Sequence, residues 1–273
     1  MTISTARTDR LSKAHQRLTS AIEHLVGGSD WQEMLDVARR FHAYSTNNIL
    51  LIGSQRPDAT HVAGFHTWKS LGHSVKKGEK GIAILAPLVT RTKSIDAREE
   101  TDQPELVKVL RGFRVVYVFD VTQTEGEPLP EVAPTLLMDT ASDSVWDALA
   151  AQIGSAGFTL QRGDCHGANG VTDFLTRTVT VRSDVGDAQA AKTLAHELAH
   201  VLLHDTPQHR GCRDRAEVEA ESVAYLFCQH VGITSDNYSF PYIARWSDGD
   251  TELVRSTADR VITCARRIVE ALG

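Results

Sequence analysis

The segment "TLAHELAHVLLH", residues 193–204, sets His196 and His200 four positions apart with Glu197 directly after the first of them. Residues four apart stack on one face of an α-helix, so two imidazoles can present nitrogens to a single metal ion. Glu197 lies roughly 100° further around the helix, where a carboxylate can reach a water on that metal. Two neutral imidazoles leave a zinc ion cationic enough to acidify water, and a carboxylate that is not a ligand can take the proton. The chain holds 12 histidines, so a match of this length also arises by chance, and the pattern needs independent support.

Support comes from the surrounding residues. Leu194, Leu198, Val201 and Leu202 give the segment an apolar packing face that can anchor the histidines. The following segment "AEVEAESVAY" carries Glu217, Glu219 and Glu221 beside an apolar stripe of Val218, Ala220, Val223 and Ala224. Glu217 and Glu221 share a helix face, whereas Glu219 points elsewhere. Either of the paired acids can complete the metal site. In the preferred assignment Glu217 ligates and Glu221 accepts a hydrogen bond from a ligand histidine, fixing its tautomer; Glu221 is the alternative ligand. His204 falls at the helix end, where a histidine more often interacts with the last carbonyls. Tyr238 and Tyr242, in "DNYSFPYIARW", are candidates for donating a hydrogen bond to the oxyanion of a tetrahedral intermediate, against packing as the commoner role.

The elements that must position these residues follow from periodicity and punctuation. Leu11, Leu18, Ile22 and Leu25 predict a helix over residues 8–26, and Trp31, Leu35, Ala38 and Phe41 share a face of a second, which breaks near Ser45 and resumes through Ile52. The runs "GIAILAPL" and "GFRVVYVFDV" predict strands, separated by a polar loop over 92–108. "TQTEGEPLPEVAP" reads as a linker with a boundary near 126–134. Beyond it come a helix in "DTASDSVWDALAAQIGSAG", a strand in "FTLQRGD", one alternating strand in "DFLTRTVTVRSD", the histidine helix, the acidic helix ended by Gly232, and a closing helix over 250–271. The expected fold class is α+β in two domains, residues 1–130 and 131–273, the second carrying the histidine helix.

Charge divides along the same line. Residues 1–125 hold 17 Lys and Arg against 14 Asp and Glu, whereas residues 126–273 hold 12 against 21. No apolar run approaches the roughly 20 residues that cross a bilayer, so no membrane partner is expected. The polar start of the chain lacks a secretory core, and four scattered cysteines without CxxC spacing fit reduced thiols. A cytoplasmic location is the expectation. Residues 39–93 concentrate nine Lys and Arg against two acids. With interleaved aromatics this gives cations for phosphates and π-faces for unstacked bases, on Arg39, Arg40, Tyr44, Asn48, Trp68, Lys69, Lys76, Lys77 and Lys80. A solvated basic face over buried aromatics is the plainer alternative.

The pair "HELAHVLLH" and "EVEAESVAY" resembles the gluzincin-type metallopeptidases of the ImmA/IrrE-like and ArdC-like groups. The resemblance implies Zn2+ on His196, His200 and Glu217, with Glu197 as general base. The run from "YSTNNILLIGSQRPDATHVAGFHTWKSLGHSVKKGEKGIAILAPL" to "VFDVTQTEGEPLP" resembles the N-terminal single-stranded-DNA-binding domain of ArdC-type antirestriction proteins, over roughly residues 10–130. It implies binding of single-stranded DNA during plasmid or phage entry, ahead of a zincin-like module acting on an unspecified protein substrate. The leading expectation is therefore a zinc-dependent peptidase tethered to DNA. The alternatives are a DNA-coating antirestriction protein in which zinc is structural, and an ImmA-like protease that cleaves a regulator.

Overall fold

The computed structural model describes residues 2–25, 28–93, 106–127, 141–205, 213–233 and 247–272. Two compact units emerge, Met1–Ala21 with Leu50–Glu127, and Ile22–Ile49 with Pro128–Gly273. The last of the three crossings, between Glu127 and Pro128, lies within the boundary region expected at 126–134. Residues 22–49, however, pack with the C-terminal unit rather than the N-terminal one.

The chain opens with helices α1 (Thr2–His24), α2 (Gly28–Arg40) and α3 (Thr46–Gln55). In the first unit, Ala14 of α1 and Leu51 of α3 form a core with Leu85 of a sheet. That sheet is built from β1 (Val62–Gly64), β3 (Ile82–Lys93) and β4 (Leu106–Asp120), antiparallel in the order β1-β4-β3. Helix α4 (Phe65–Ser70) follows β1, and the short strands β2 (Ser74–Val75) and β5 (Thr124–Glu125) pair with each other. Strand pairing extends to Lys93 opposite Leu106, so both ends of the loop expected over 92–108 are strand. The start of the expected linker is also structured. The Asp120 carboxylate accepts from the Thr122 amide at 3.0 Å, the Gln123 side chain accepts from the Asp120 amide at 2.9 Å, and this turn delivers the chain into β5.

The second unit contains α5 (Ala141–Ser155), β6 (Thr159–Gly163), β7 (Gly170–Asp173), β8 (Thr178–Arg182), α6 (Asp187–His204), α7 (Arg213–Val231) and α8 (Thr251–Glu270). The sheet order is β6-β8-β7, with β6 parallel and β7 antiparallel to β8. The single strand expected through residues 174–182 is instead a hairpin arm. The Asp173 carboxylate accepts from the Leu175 and Thr176 amides, and Arg177 turns through φ 53°. An Asp can replace a backbone turn in this way, and it outweighs the alternation that suggested one strand. Leu175, at the tip, is 89 % exposed.

Helix α2 belongs here because its apolar face needs α7. Trp31 and Leu35 are fully buried, and Trp31 Nε1 donates to Ser222 Oγ at 2.9 Å. The Tyr225 hydroxyl donates to Asp36, and Thr46 Oγ1 donates to Asp259 at 2.7 Å. Cys165, Cys228 and Cys264 are buried; Cys212 lies outside the described residues. Among the described residues no helix is long and apolar enough to cross a membrane.

Candidate metal centre

Helix α6 begins after Gly186, with Asp187 in its first turn favourably placed against the helix dipole. Ala190, Ala191, Leu194, Ala195, Leu198, Ala199 and Val201 are buried along it, which fixes the rotation of the helix and so the direction of its histidines. Nε2 of His196 and Nε2 of His200 lie 3.1 Å apart. Glu217 Oε2, from α7, stands 3.5 Å from the first and 3.8 Å from the second. Ligand atoms about 2.0–2.1 Å from a tetrahedral zinc would be roughly 3.3 Å apart, so the triangle matches the size of such an ion. Among the described residues these three side chains form the one cluster of three or more such groups arranged to hold a metal.

The remaining acids of α7 take separate places. Glu221 Oε2 faces Nδ1 of His196 at 3.1 Å, and its other oxygen lies 3.4 Å from Lys192 Nζ. Glu221 therefore sits against the ring nitrogen opposite the one that faces Glu217. Glu219, which helical spacing turned away from the site, is fully buried on another side: Oε2 lies 2.7 Å from Nε2 of His204, and Oε1 lies 3.1 Å from Arg260 of α8. His204 in turn brings Nδ1 to 3.0 Å from Nδ1 of His200. It is a buried link between α6 and α7 rather than a partner of the last helical carbonyls, which corrects the expectation for this residue.

Glu197 is 5 % exposed, and its Oε2 accepts from Thr172 Oγ1 of β7 at 2.6 Å. Its other oxygen lies beside Gly170, where a Cβ would come within 2.7 Å of Oε1 and 2.6 Å of Thr193 Cγ2. The bare backbone of β7 thus makes room for the carboxylate. A cavity of about 840 Å³ opens over this group, lined by β7, α6 and α7 and reaching Lys192, His196, Glu197, His200 and Glu217.

Hydrogen bonds and charge hold the side chains of the cluster to one another. Burial opposes charge on His196, but hydrogen bonds to Glu217 and Glu221 outweigh it and raise the imidazole to about 9. His196 and His200 hold the Glu217 carboxyl well below its ordinary range. Burial works against charge on Glu221 as well, yet His196 and Lys192 bring it below the ordinary value. Burial pushes His204 down against the pull of Glu219. Tyr238 and Tyr242 lie outside the described residues.

The residues expected to contact DNA divide between the two units. Lys69, Lys76, Lys77 and Lys80 are exposed on the first, although Lys76 Nζ donates to the Thr122 carbonyl at 2.9 Å. Trp68 is a core residue: it is 2 % exposed and its Nε1 donates to the Phe119 carbonyl at 2.7 Å, so it offers no face to a base. Arg39, Arg40, Tyr44 and Asn48 belong to the second unit. There Arg39 donates to Gln229 and Arg40 to the Asp36 carbonyl, the Tyr44 carbonyl accepts from Arg266, and Asn48 is buried. Among the described residues, the exposed aromatics of the first unit are Phe65, which is one of the aromatics interleaved in the basic segment, and Phe113 and Tyr117, not singled out from the sequence. Phe113 and Tyr117, four residues apart in β4, share a face of the strand, a signal the aromatic spacing carried.

Comparison with known proteins divides the chain by sequence, with residues 22–49 falling in the first match although they pack with the second unit. Residues 6–119 match the N-terminal domain of anti-restriction factor ArdC, and residues 149–231 match the IrrE N-terminal-like domain, a peptidase family. An uncharacterized protein of Bacillus anthracis is 26 % identical over 274 residues, covering 86 % of this chain. The chain spans just under half, 46 %, of that relative's length. The crystal structures of the antirestriction protein ArdC from plasmid R388, metal-free and Mn(II)-bound, share the fold with TM-scores of 0.54 and 0.53. Each is 19 % identical and covers 84 % of this chain and 85 % of its own.

Proposed function

We propose that this chain, which joins an ArdC-type N-terminal domain to an IrrE N-terminal-like peptidase domain, is a metal-dependent peptidase coupled to a single-stranded-DNA-binding module, acting in antirestriction. The observation that carries the peptidase reading is the convergence of His196 Nε2, His200 Nε2 and Glu217 Oε2 within bonding distance of one ion, with Glu197 on the next turn position and a cavity above. Two nitrogens and a carboxylate oxygen suit Zn2+, which would supply Lewis acidity for a water and a scissile carbonyl.

The chain's own residues do the rest. Glu221 and His204 orient the two imidazoles from behind. Glu197, steadied by Thr172, would receive the proton of the attacking water and deliver it to the leaving amine. Strand β7 lines the cavity and, among the described residues, pairs on one side alone, so an extended peptide can align along its free edge. For DNA, Lys69, Lys77 and Lys80 provide phosphate contacts, with Phe113 and Tyr117 as stacking faces in place of Trp68.

Digestion of a randomised peptide library, followed by mass spectrometry, tests the peptidase reading. The zinc-loaded protein should cut, and Glu197→Gln should bind zinc equally and leave the library intact. Cleavage that persists in Glu197→Gln would sink the mechanism. The exposed lysines and aromatics of the first unit favour a second reading, in which entering strands are protected by coating alone. It requires Glu197→Gln to keep full protection of transferred DNA in cells.

A further inference from the structure

The two histidines of the centre are held from behind by different means. His196 meets the Glu221 carboxylate directly, whereas His200 meets another imidazole, and that imidazole meets a carboxylate with no exposed surface. We propose that Glu219, acting through His204, is a positioning residue that locks His200 in the tautomer presenting Nε2 to the metal. This proposal rests on the metal-centre reading given above.

The assignment of protons has one consistent solution. If His200 offers the Nε2 lone pair to the ion, its proton lies on Nδ1, and that N–H donates to Nδ1 of His204 across 3.0 Å. His204 Nδ1 is then the acceptor, so its own proton lies on Nε2 and donates to Glu219 Oε2 across 2.7 Å. Reversing either tautomer would set two N–H groups, or two lone pairs, against each other between the rings. The charge at the end of the chain is fixed in turn by α8. Arg260 lies 3.1 Å from Glu219 Oε1, and its Nη2 donates to the Leu203 carbonyl at 2.9 Å, tying the end of α6 to the same guanidinium. Arg215 adds a weaker approach at 3.8 Å. A buried carboxylate that polarises a chain of N–H groups makes the terminal imidazole a better donor to a cation. The helix carrying Arg260 lies beyond the segment that matches the IrrE N-terminal-like domain.

The test uses the full chain, labelled with 15N-histidine and loaded with zinc. Imidazole 15N shifts should show His204 neutral with its proton on Nε2, and a scalar coupling should connect Nδ1 of His200 to Nδ1 of His204. His204→Phe should lower zinc affinity about 10- to 100-fold, and His204→Asn, whose side-chain oxygen can still accept from His200 Nδ1, should restore part of it. A His204 protonated on Nδ1, or bound to the metal itself, overturns the proposal, as does unchanged zinc affinity in a folded His204→Phe. Wild-type protein that binds no zinc overturns the metal-centre reading and this proposal with it, whereas zinc bound with the wrong His204 tautomer removes the relay alone. Because the labelled wild type answers the tautomer question, the outcome stands even if a variant fails to fold.

Discussion

The Glu197 carboxylate occupies space left by the missing side chain of Gly170, with its Oε1 2.7 Å from where a Cβ would stand. A side chain at position 170 would collide with the carboxylate unless one of the two shifts. Gly170→Ala is therefore expected to displace the carboxylate from its bond to Thr172 while leaving the three metal ligands in place. Peptidase activity should fall about 100-fold, the scale of a small misplacement at a reacting centre, with zinc stoichiometry unchanged. Full activity in Gly170→Ala would show that Glu197 does not depend on this seat.

Proton and metal compete for His196. The metal-free imidazole, ordinarily near 6.5, is raised to about 9, and zinc requires its neutral form. Apparent zinc affinity should climb about tenfold per pH unit below that value and level off above it. Stability of the metal-free protein should run the other way. The folded state binds the proton more tightly, so the contribution of His196 is complete below 6.5 and disappears as pH rises through about 9. Chelator-competition titrations and denaturation curves over this window check both signs; a flat zinc affinity would contradict the protonated cluster.

Ser222 has a structural task on the helix that carries Glu217. It accepts the indole N–H of Trp31 inside the core. Ser222→Ala should destabilise the protein by about 1–3 kcal/mol, the cost of a buried donor left unpaired, and shift the Trp31 fluorescence. An unchanged urea midpoint would argue that residues 22–49 are not integral to the second unit.

Lysines and the tryptophan of the first unit should respond to mutation in opposite ways. Lys77→Ala and Lys80→Ala should each weaken binding to single-stranded oligonucleotides and flatten the salt dependence, by about 0.7 in logarithmic slope for each phosphate no longer neutralised. Trp68→Ala should cost about 3–5 kcal/mol of stability as a core deletion, with no specific loss of base stacking. Salt-titrated fluorescence anisotropy beside thermal melts separates the two. A salt slope untouched by either lysine change would remove these residues from the interface.

Spacing along the chain carried much of the metal centre. A four-residue interval within one helix fixes a shared face, which is why His196 pairs with His200, and Glu217 with Glu221, on sequence grounds alone. The same interval places His204 on the face of His200, but it could not show that Glu219 and Arg260 meet there from two other helices, because helical periodicity says nothing of what faces a residue across a core. Glu219 departs from the solvated face expected of an acid for this reason: Arg260, 41 residues later, supplies the countercharge. The turn at Asp173 hid β7, since alternation continues through a hairpin whose turn is closed by a side chain. Composition likewise favoured Trp68 as a stacking face, whereas a large ring with one donor satisfied by the Phe119 carbonyl is well suited to a core.

The free side of β7 has a cost as well as a use. Backbone donors and acceptors that can receive an extended peptide can equally receive a strand from a second molecule, which is how sheets grow into aggregates. Its brevity, four residues from Gly170 to Asp173, and the polar pair Thr172 and Asp173 at its end limit how much unwanted pairing it can sustain. Substitutions that lengthen this strand or make it more apolar in search of tighter substrate binding would therefore trade solubility for affinity.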